Sequence, residues 1–355
     1  MDFLRAELGL YTARWRERRS GEDGSGEGKE EGAVKRGAED EVGWTVRGGL
    51  ATAPTCNISS GGVSWSERLG MLPRQCPEWS EMWGQASTSI GVRGKTYLSD
   101  KVKHLSKEPL AHVVRCDLFK VERRTDDIIR RLHGTDLDVV DALGSEAELL
   151  VLNFQLPGTQ NLSFVVYFAF VEGVALQDTK EFTLPSTKSA PDASTDMRGL
   201  IKVVGGEAED GGEGPTDIPV GCLNLVRRFL SAEDKEFCDS RFKIIPSIVD
   251  GPWAVQAAVG NTPALMGKKV TQRYFRGENY LEISVDIGSS MLANKLFSLV
   301  KSCSVYAVLD MSFVVQGECK EELPERILGG VRLSNVNLEV AVDLPSPVVP
   351  PAGHC

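Results

Sequence analysis

The sequence predicts an α+β protein in which a mainly antiparallel, curved sheet carries helices packed on one face. Three observations predict it. Short runs rich in β-branched and aromatic residues recur along the chain, each bounded by Gly, Pro, Asn or Asp. Their links are too short for parallel pairing, which needs a crossover of about a dozen residues or more. Three further segments repeat apolar residues at helical spacing.

The first 75 residues are expected to stay outside that domain. Residues 3–19 form a candidate basic amphipathic helix, with Leu4, Leu8, Tyr11 and Trp15 on one face and arginines around it. Residues 20–49 are Gly, Glu, Lys and Asp with almost no aliphatic side chains, a composition that cannot offset chain entropy. The folded domain is expected over 76–345, interrupted by a disordered acidic insertion at about 177–219 and followed by a disordered tail at 346–355.

Within the domain, strands are predicted at 113–121, 149–156, 162–171, 242–249, 253–259, 270–275, 280–287 and 305–316. Turn residues at 157–160, 250–252 and 276–279 read as hairpin links. Helices are predicted at 126–132, 222–230 and 289–301, and a short turn of helix is expected to begin at Leu323-Pro324-Glu325. The helix at 289–301 carries Leu292, Leu296, Leu299, Val300 and Cys303 as a stripe, and is expected to cover one face of the sheet.

Charge and composition exclude several functions. A net charge of −10 argues against a nucleic-acid partner, whose binding domains are usually basic. The longest apolar runs fall far short of the roughly 20 residues that span a bilayer. The N-terminus shows no secretory pattern, so a cytoplasmic protein is expected, with peripheral membrane contact as an option. The eight cysteines fall singly and read as reduced thiols. With four histidines and no cluster at ligand spacing, no metal or other cofactor is expected.

Catalytic motifs are weak. Gly94-Lys95-Thr96 imitates the end of a phosphate-binding loop, but Ser89 stands where that loop needs glycine. No G-x-S-x-G elbow exists, and His104, His112 and His133 are isolated. In 280–287 the period of two puts Tyr280, Glu282, Ser284 and Asp286 on one face. Carboxylates at Glu282 and Asp286 lie nearly twice 7 Å apart on one strand, too far for a close catalytic pair, and a solvated or groove-lining face is expected. A cluster running from Arg241 through Lys243 to Trp253 mixes basic and aromatic groups. It could hold an anionic head beside an apolar chain, or be a hairpin whose Trp253 fills core.

Several of these stretches resemble the C-terminal domain of the plant Enhanced Disease Resistance 2 family. The matching residues are 92–98 with 100–103, then 153–157, 167–168, 241–246, 250–253, 277–283 and 323–325, in order over about 79–333. The resemblance implies a non-enzymatic regulatory domain linked to lipid binding and to negative regulation of defence and cell death. The long family members also carry pleckstrin-homology and START domains, for which the N-terminal 75 residues here leave no room. The expected partners are therefore a lipid or membrane surface, or else a protein. Ligand contacts are expected from Arg93, Arg241, Lys243, Trp253 and Tyr280. An apolar ligand would sit between the sheet and the helix at 289–301, with a START-like helix grip as one option and Ala257 among its lining residues.

Overall fold

A computed structural model describes residues 68–346 apart from 71, 74, 146, 172, 173 and 175–217. The candidate helix at 3–19, the acidic stretches at 20–49 and 177–217, and the tail from 347 lie outside the described residues.

The fold is α+β. Eight helices and thirteen strands are described, and most strand pairs are antiparallel. The helices are α1 (Pro77–Glu81), α2 (Tyr97–Asp100), α3 (Ile128–Leu132), α4 (Val139–Leu143), α5 (Val220–Ser231), α6 (Lys235–Arg241), α7 (Trp253–Val259) and α8 (Met291–Cys303). The strands are β1 (Trp83–Gln85), β2 (Gly91–Arg93), β3 (Lys103–Leu105), β4 (Ala111–Val121), β5 (Leu149–Leu156), β6 (Asn161–Phe170) and β7 (Phe242–Asp250) in the first part of the chain. They continue as β8 (Ala264–Leu265), β9 (Thr271–Arg276), β10 (Tyr280–Asp286), β11 (Val308–Val315), β12 (Ile327–Ser334) and β13 (Val342–Asp343).

Instead of one sheet there are two large ones. One runs β13-β4-β6-β5-β10-β9 and the other β1-β12-β11-β7-β8, while β2 and β3 pair by themselves. The four central strands of the six-stranded sheet, β4, β6, β5 and β10, are buried on both faces, while its edge strands β9 and β13 are partly exposed. Along β6, Leu162, Phe164, Val166, Phe168 and Phe170 enter the main core, while Val165, Tyr167 and Ala169 enter a second core under α3 and α4. The strand period of two therefore divides β6 between two cores, which explains why it reads as a continuous apolar run. The main core is closed from the other side by Phe313 and Val315 of β11, Leu328 and Val331 of β12, and α5. Helix α5 buries Cys222, Leu225, Val226, Phe229 and Leu230, a stripe at three- and four-residue spacing.

Four expectations need correction. Residues 253–259 form helix α7, not a strand. Pro252 precedes its first residue, and Gly260 at φ +58° ends it, where a side chain would be strained. Alanine-rich sequence between such residues favours helix over the period-two reading. The link 250–252 is accordingly a strand-to-helix connection. Pairing is mainly antiparallel, as expected; the exceptions are β10, which joins β5 in parallel from Tyr280↔Leu149 to Asp286↔Gln155, and β13, which joins β4 in parallel.

Helix α8 does not cover a sheet. It buries only Cys303 and leaves Met291 and Leu292 exposed, since the second sheet and α5 already close the main core. Helical structure near Pro324 also ends before the proline: a 3-10 turn spans Lys320–Glu322, and the Leu323–Pro324 bond is cis.

Candidate functional site

Three of the five expected ligand residues converge on one place. Arg241 ends α6, Lys243 follows it on β7, and Arg93 closes β2; all three meet the loop that runs from β11 to β12. That loop supplies the acids. Lys243 Nζ donates to both oxygens of Glu325, at 2.9 and 2.8 Å, and the Glu325 side chain is fully enclosed. The same carboxylate accepts from the Arg93 and Gly317 backbone N–H groups at 3.1 and 3.2 Å. In return, the Glu325 N–H donates to the Arg93 carbonyl and Arg93 Nη1 donates to the Gly317 carbonyl.

Arg241 is engaged next to this clamp. Its Nη1 donates to Glu322 at 2.6 Å and to the Gln316 carbonyl at 2.9 Å, and Glu318 lies 3.5 Å from Nη2. The electrostatics follow from burial. Desolvation pushes the Lys243 ammonium below its usual range, and Glu325 only partly opposes it. Desolvation also acts to raise the Glu322 carboxyl, but hydrogen bonds from the Glu318 N–H and Arg241 outweigh it and hold the group low. A cation so enclosed and paired has little charge left for an anionic ligand head, so the cluster is built as an internal clamp.

The other two expected residues lie elsewhere. Trp253 sits at the start of α7 and is 64% exposed, so it fills no core. Tyr280 is on β10, packed against the second core under α3, and burial followed by the nearby Asp127 carboxylate raises its hydroxyl. The five residues therefore do not form a single site. Ala257 is an exposed residue of α7 and lines no interior space.

The middle of the polar face of β10, Glu282 and Ser284, is buried rather than solvated, while Tyr280 and Asp286 at its ends are partly exposed. Glu282 is fully buried beneath α3, and its two oxygens accept from the Ile128 and Ile129 N–H groups at 3.0 Å each. The N-cap position of α3, Asp127, makes no side-chain cap, so a strand residue some 150 positions later caps this helix instead. Asn153 Nδ2 and Ser284 Oγ donate to the same carboxylate at 3.2 and 2.8 Å. Burial nonetheless pushes the Glu282 carboxyl above its ordinary value.

Groups that could do chemistry are dispersed. Cys116 lies in the main core, where burial raises its thiol well above the normal range. His133 is exposed, 2.9 Å from Asp138, while burial lowers half-buried His112 against the pull of Glu108. Among the described residues no group of three His, Cys, Asp or Glu is placed to hold a metal ion. Lys235, Glu236, Asp239, Ser240 and Lys268 line an open cleft on the surface.

The space between the sheets is occupied by aromatic rings. Phe229 stacks on Phe242 at 5.6 Å and Phe242 on Phe313 at 5.7 Å; Phe154 and Phe168 reach Phe313 at 6.1 and 6.0 Å. Sequence reasoning found the basic residues of the clamp but missed its acids. Glu325 follows Leu323-Pro324, and a lone acid after a proline carries no signal of what it will meet across the fold.

No described helix is long and apolar enough to cross a membrane. The family profile described as Protein ENHANCED DISEASE RESISTANCE 2, C-terminal, matches residues 79–337. The chain is also 36% identical over 251 residues to the Protein ENHANCED DISEASE RESISTANCE 2-like of Arabidopsis thaliana, an alignment covering 71% of this chain and 28% of that protein. No solved structure matches. The chain belongs to the ENHANCED DISEASE RESISTANCE 2 C-terminal family.

Proposed function

We infer that this chain is a non-catalytic regulatory domain that works through its outer surface rather than by enclosing a ligand. The observation that carries the reading is the aromatic stack running from Phe229 of α5 through Phe242 and Phe313 to Phe154 of β5. A lipid-enclosing domain needs an apolar space where those rings lie, and protein interiors are packed too densely for both. The expected cover for such a space, α8, is a mostly exposed helix. The dispersal of Cys116, His112 and His133 supports a role without catalysis, since nucleophilic chemistry needs those groups within hydrogen-bond reach of one another. The relative's name places it in disease resistance, and we assign this chain to the same regulatory setting; the match covers 28% of that protein, so the assignment concerns this domain alone.

The test is extraction of the purified full chain with organic solvent, followed by mass spectrometry for lipids. No lipid near one per chain is expected. Recovery of one specific lipid at that ratio would overturn the reading and restore an enclosed site.

A further inference from the structure

The hairpin of β2 and β3, with α2 in its connection, is attached to the body by one face only. Val92 packs with Ile245, Val314 and Ile327 on the outer side of the five-stranded sheet. The opposite side is exposed. Register places Leu105 opposite Gly91 and Lys103 opposite Arg93. The stem of Lys103 crosses over Gly91, where a Cβ would lie 3.6 Å from Lys103 Cβ and 3.7 Å from Cδ.

Three aliphatic side chains of this hairpin stand in water: Leu98, Val102 and Leu105, at 40, 44 and 71% exposure. Exposed lysines at 95, 101 and 103 alternate with them. Asp100 is the one acid in residues 91–107, against five basic residues there, in a chain whose net charge is −10. Asp100 also spends one oxygen on the Val102 N–H at 2.8 Å. The hairpin thus reverses the sign of the molecule locally and places apolar tips among long cationic stems.

That combination fits an interface with charge on one side and hydrocarbon on the other. An acidic protein partner would use the lysines but would need roughly 800 Å² per side for a stable contact, more than the tips of one short hairpin offer. We propose that the β2–β3 hairpin docks this domain on an anionic phospholipid surface. Leu98, Val102 and Leu105 enter the headgroup boundary while Lys95, Lys101 and Lys103 meet the phosphates. The net negative charge elsewhere turns the remaining surface away and so fixes the orientation.

The proposal rests on the reading of the domain as one that works through its outer surface, and its test is separate from lipid extraction. Full-chain protein is co-sedimented with vesicles of phosphatidylcholine and phosphatidylserine at roughly 70:30, and with phosphatidylcholine alone. Binding is expected on the first only, and should weaken as salt rises. Lys95→Gln with Lys103→Gln should lower vesicle affinity by about 25-fold, from roughly fivefold per lysine near an anionic surface. Leu98→Ser with Leu105→Ser should weaken binding at all salt concentrations, because it removes insertion rather than charge. Both pairs are exposed, so thermal unfolding should confirm unchanged folding. Trp253→Ser with Met291→Ser, on the other exposed apolar face, should bind as wild type.

The proposal is overturned if the wild type ignores anionic vesicles, if both hairpin variants bind as well as wild type, or if the Trp253 and Met291 variant alone loses binding. Capture of a soluble polyglutamate by the hairpin without vesicle binding would overturn it as well.

Discussion

Replacing Lys243 with Met should cost far more stability than loss of an ordinary ion pair. At 2.8 Å and an effective dielectric constant of about 20, the Lys243–Glu325 attraction is roughly 6 kcal/mol. Desolvation of two enclosed ions costs several kcal/mol each, so the intact pair contributes little on balance. Removing one member is different, because Glu325 then remains buried without its counter-ion, at a cost of about 3–5 kcal/mol. Arg93 Nε is 3.6 Å from Glu325 and two backbone N–H groups still donate to it, which places the expected loss near the lower end.

The double variant Lys243→Met, Glu325→Gln removes both charges and leaves an amide oxygen for one of those N–H groups. It should be more stable than Lys243→Met alone, giving a coupling of the sign that marks a buried pair. Urea unfolding at neutral pH, followed by tryptophan fluorescence, gives all four corners of the cycle. A loss below about 1 kcal/mol for Lys243→Met, the value of exposed pairs, would refute the clamp, as would a double variant as unstable as the sum of the two singles.

Two further outcomes are expected. Glu282→Gln should destabilise by about 1–3 kcal/mol at neutral pH, because an amide nitrogen must face a helix N–H, and the Ile128 and Ile129 amides should exchange faster with deuterium. The folded state holds the Glu282 proton more tightly than the unfolded chain. The wild type's margin over this variant should therefore narrow as pH rises above the ordinary value of 4.5; a margin that widens would show the carboxylate is favoured by its donors. In native alkylation followed by mass spectrometry, exposed Cys319 should be labelled first among the described cysteines. Cys116 and Cys222, the latter with its thiol pushed up to about 11 by burial, should resist until the chain unfolds, and equal labelling of the three would contradict the core assignment.

Strands whose pattern is self-sufficient were legible in the sequence. The segment 149–156 matches β5 at both ends, and 242–249 falls one residue short of β7. β12 was not legible, because Gly329 and Gly330 interrupt its β-forming residues as a turn would. The structure explains those glycines: a Cβ on Gly329 would stand 2.7 Å from the Phe168 ring, so the strand needs glycine to let the second sheet approach. Helix α6 depends on Asp234, which caps the Glu236 and Phe237 N–H groups, but seven residues are too few for a periodic signal.

The candidate site divided in the same way. Basic residues at 93, 241 and 243 could be picked out by type, while their acids, and the partition of β10's polar face toward α3, depend on pairings between segments far apart in the chain. Nothing local encodes such pairings.

The parallel pairing of β10 with β5 also sets an order of events during synthesis. Residues 111–170 can close β4, β5 and β6 by local antiparallel pairing as soon as they leave the ribosome. The outer edge of β5 then waits for Tyr280, about 130 residues later than its partner Leu149. At about 5–20 residues per second, that edge stays open for roughly 6–26 s. Its sequence, Leu-Leu-Val-Leu-Asn-Phe-Gln-Leu, holds no charge and no proline, and so offers neighbouring nascent chains an unguarded template for strand addition. Slow translation between 171 and 279 would prolong that interval, since the partner strand for this edge lies wholly beyond it.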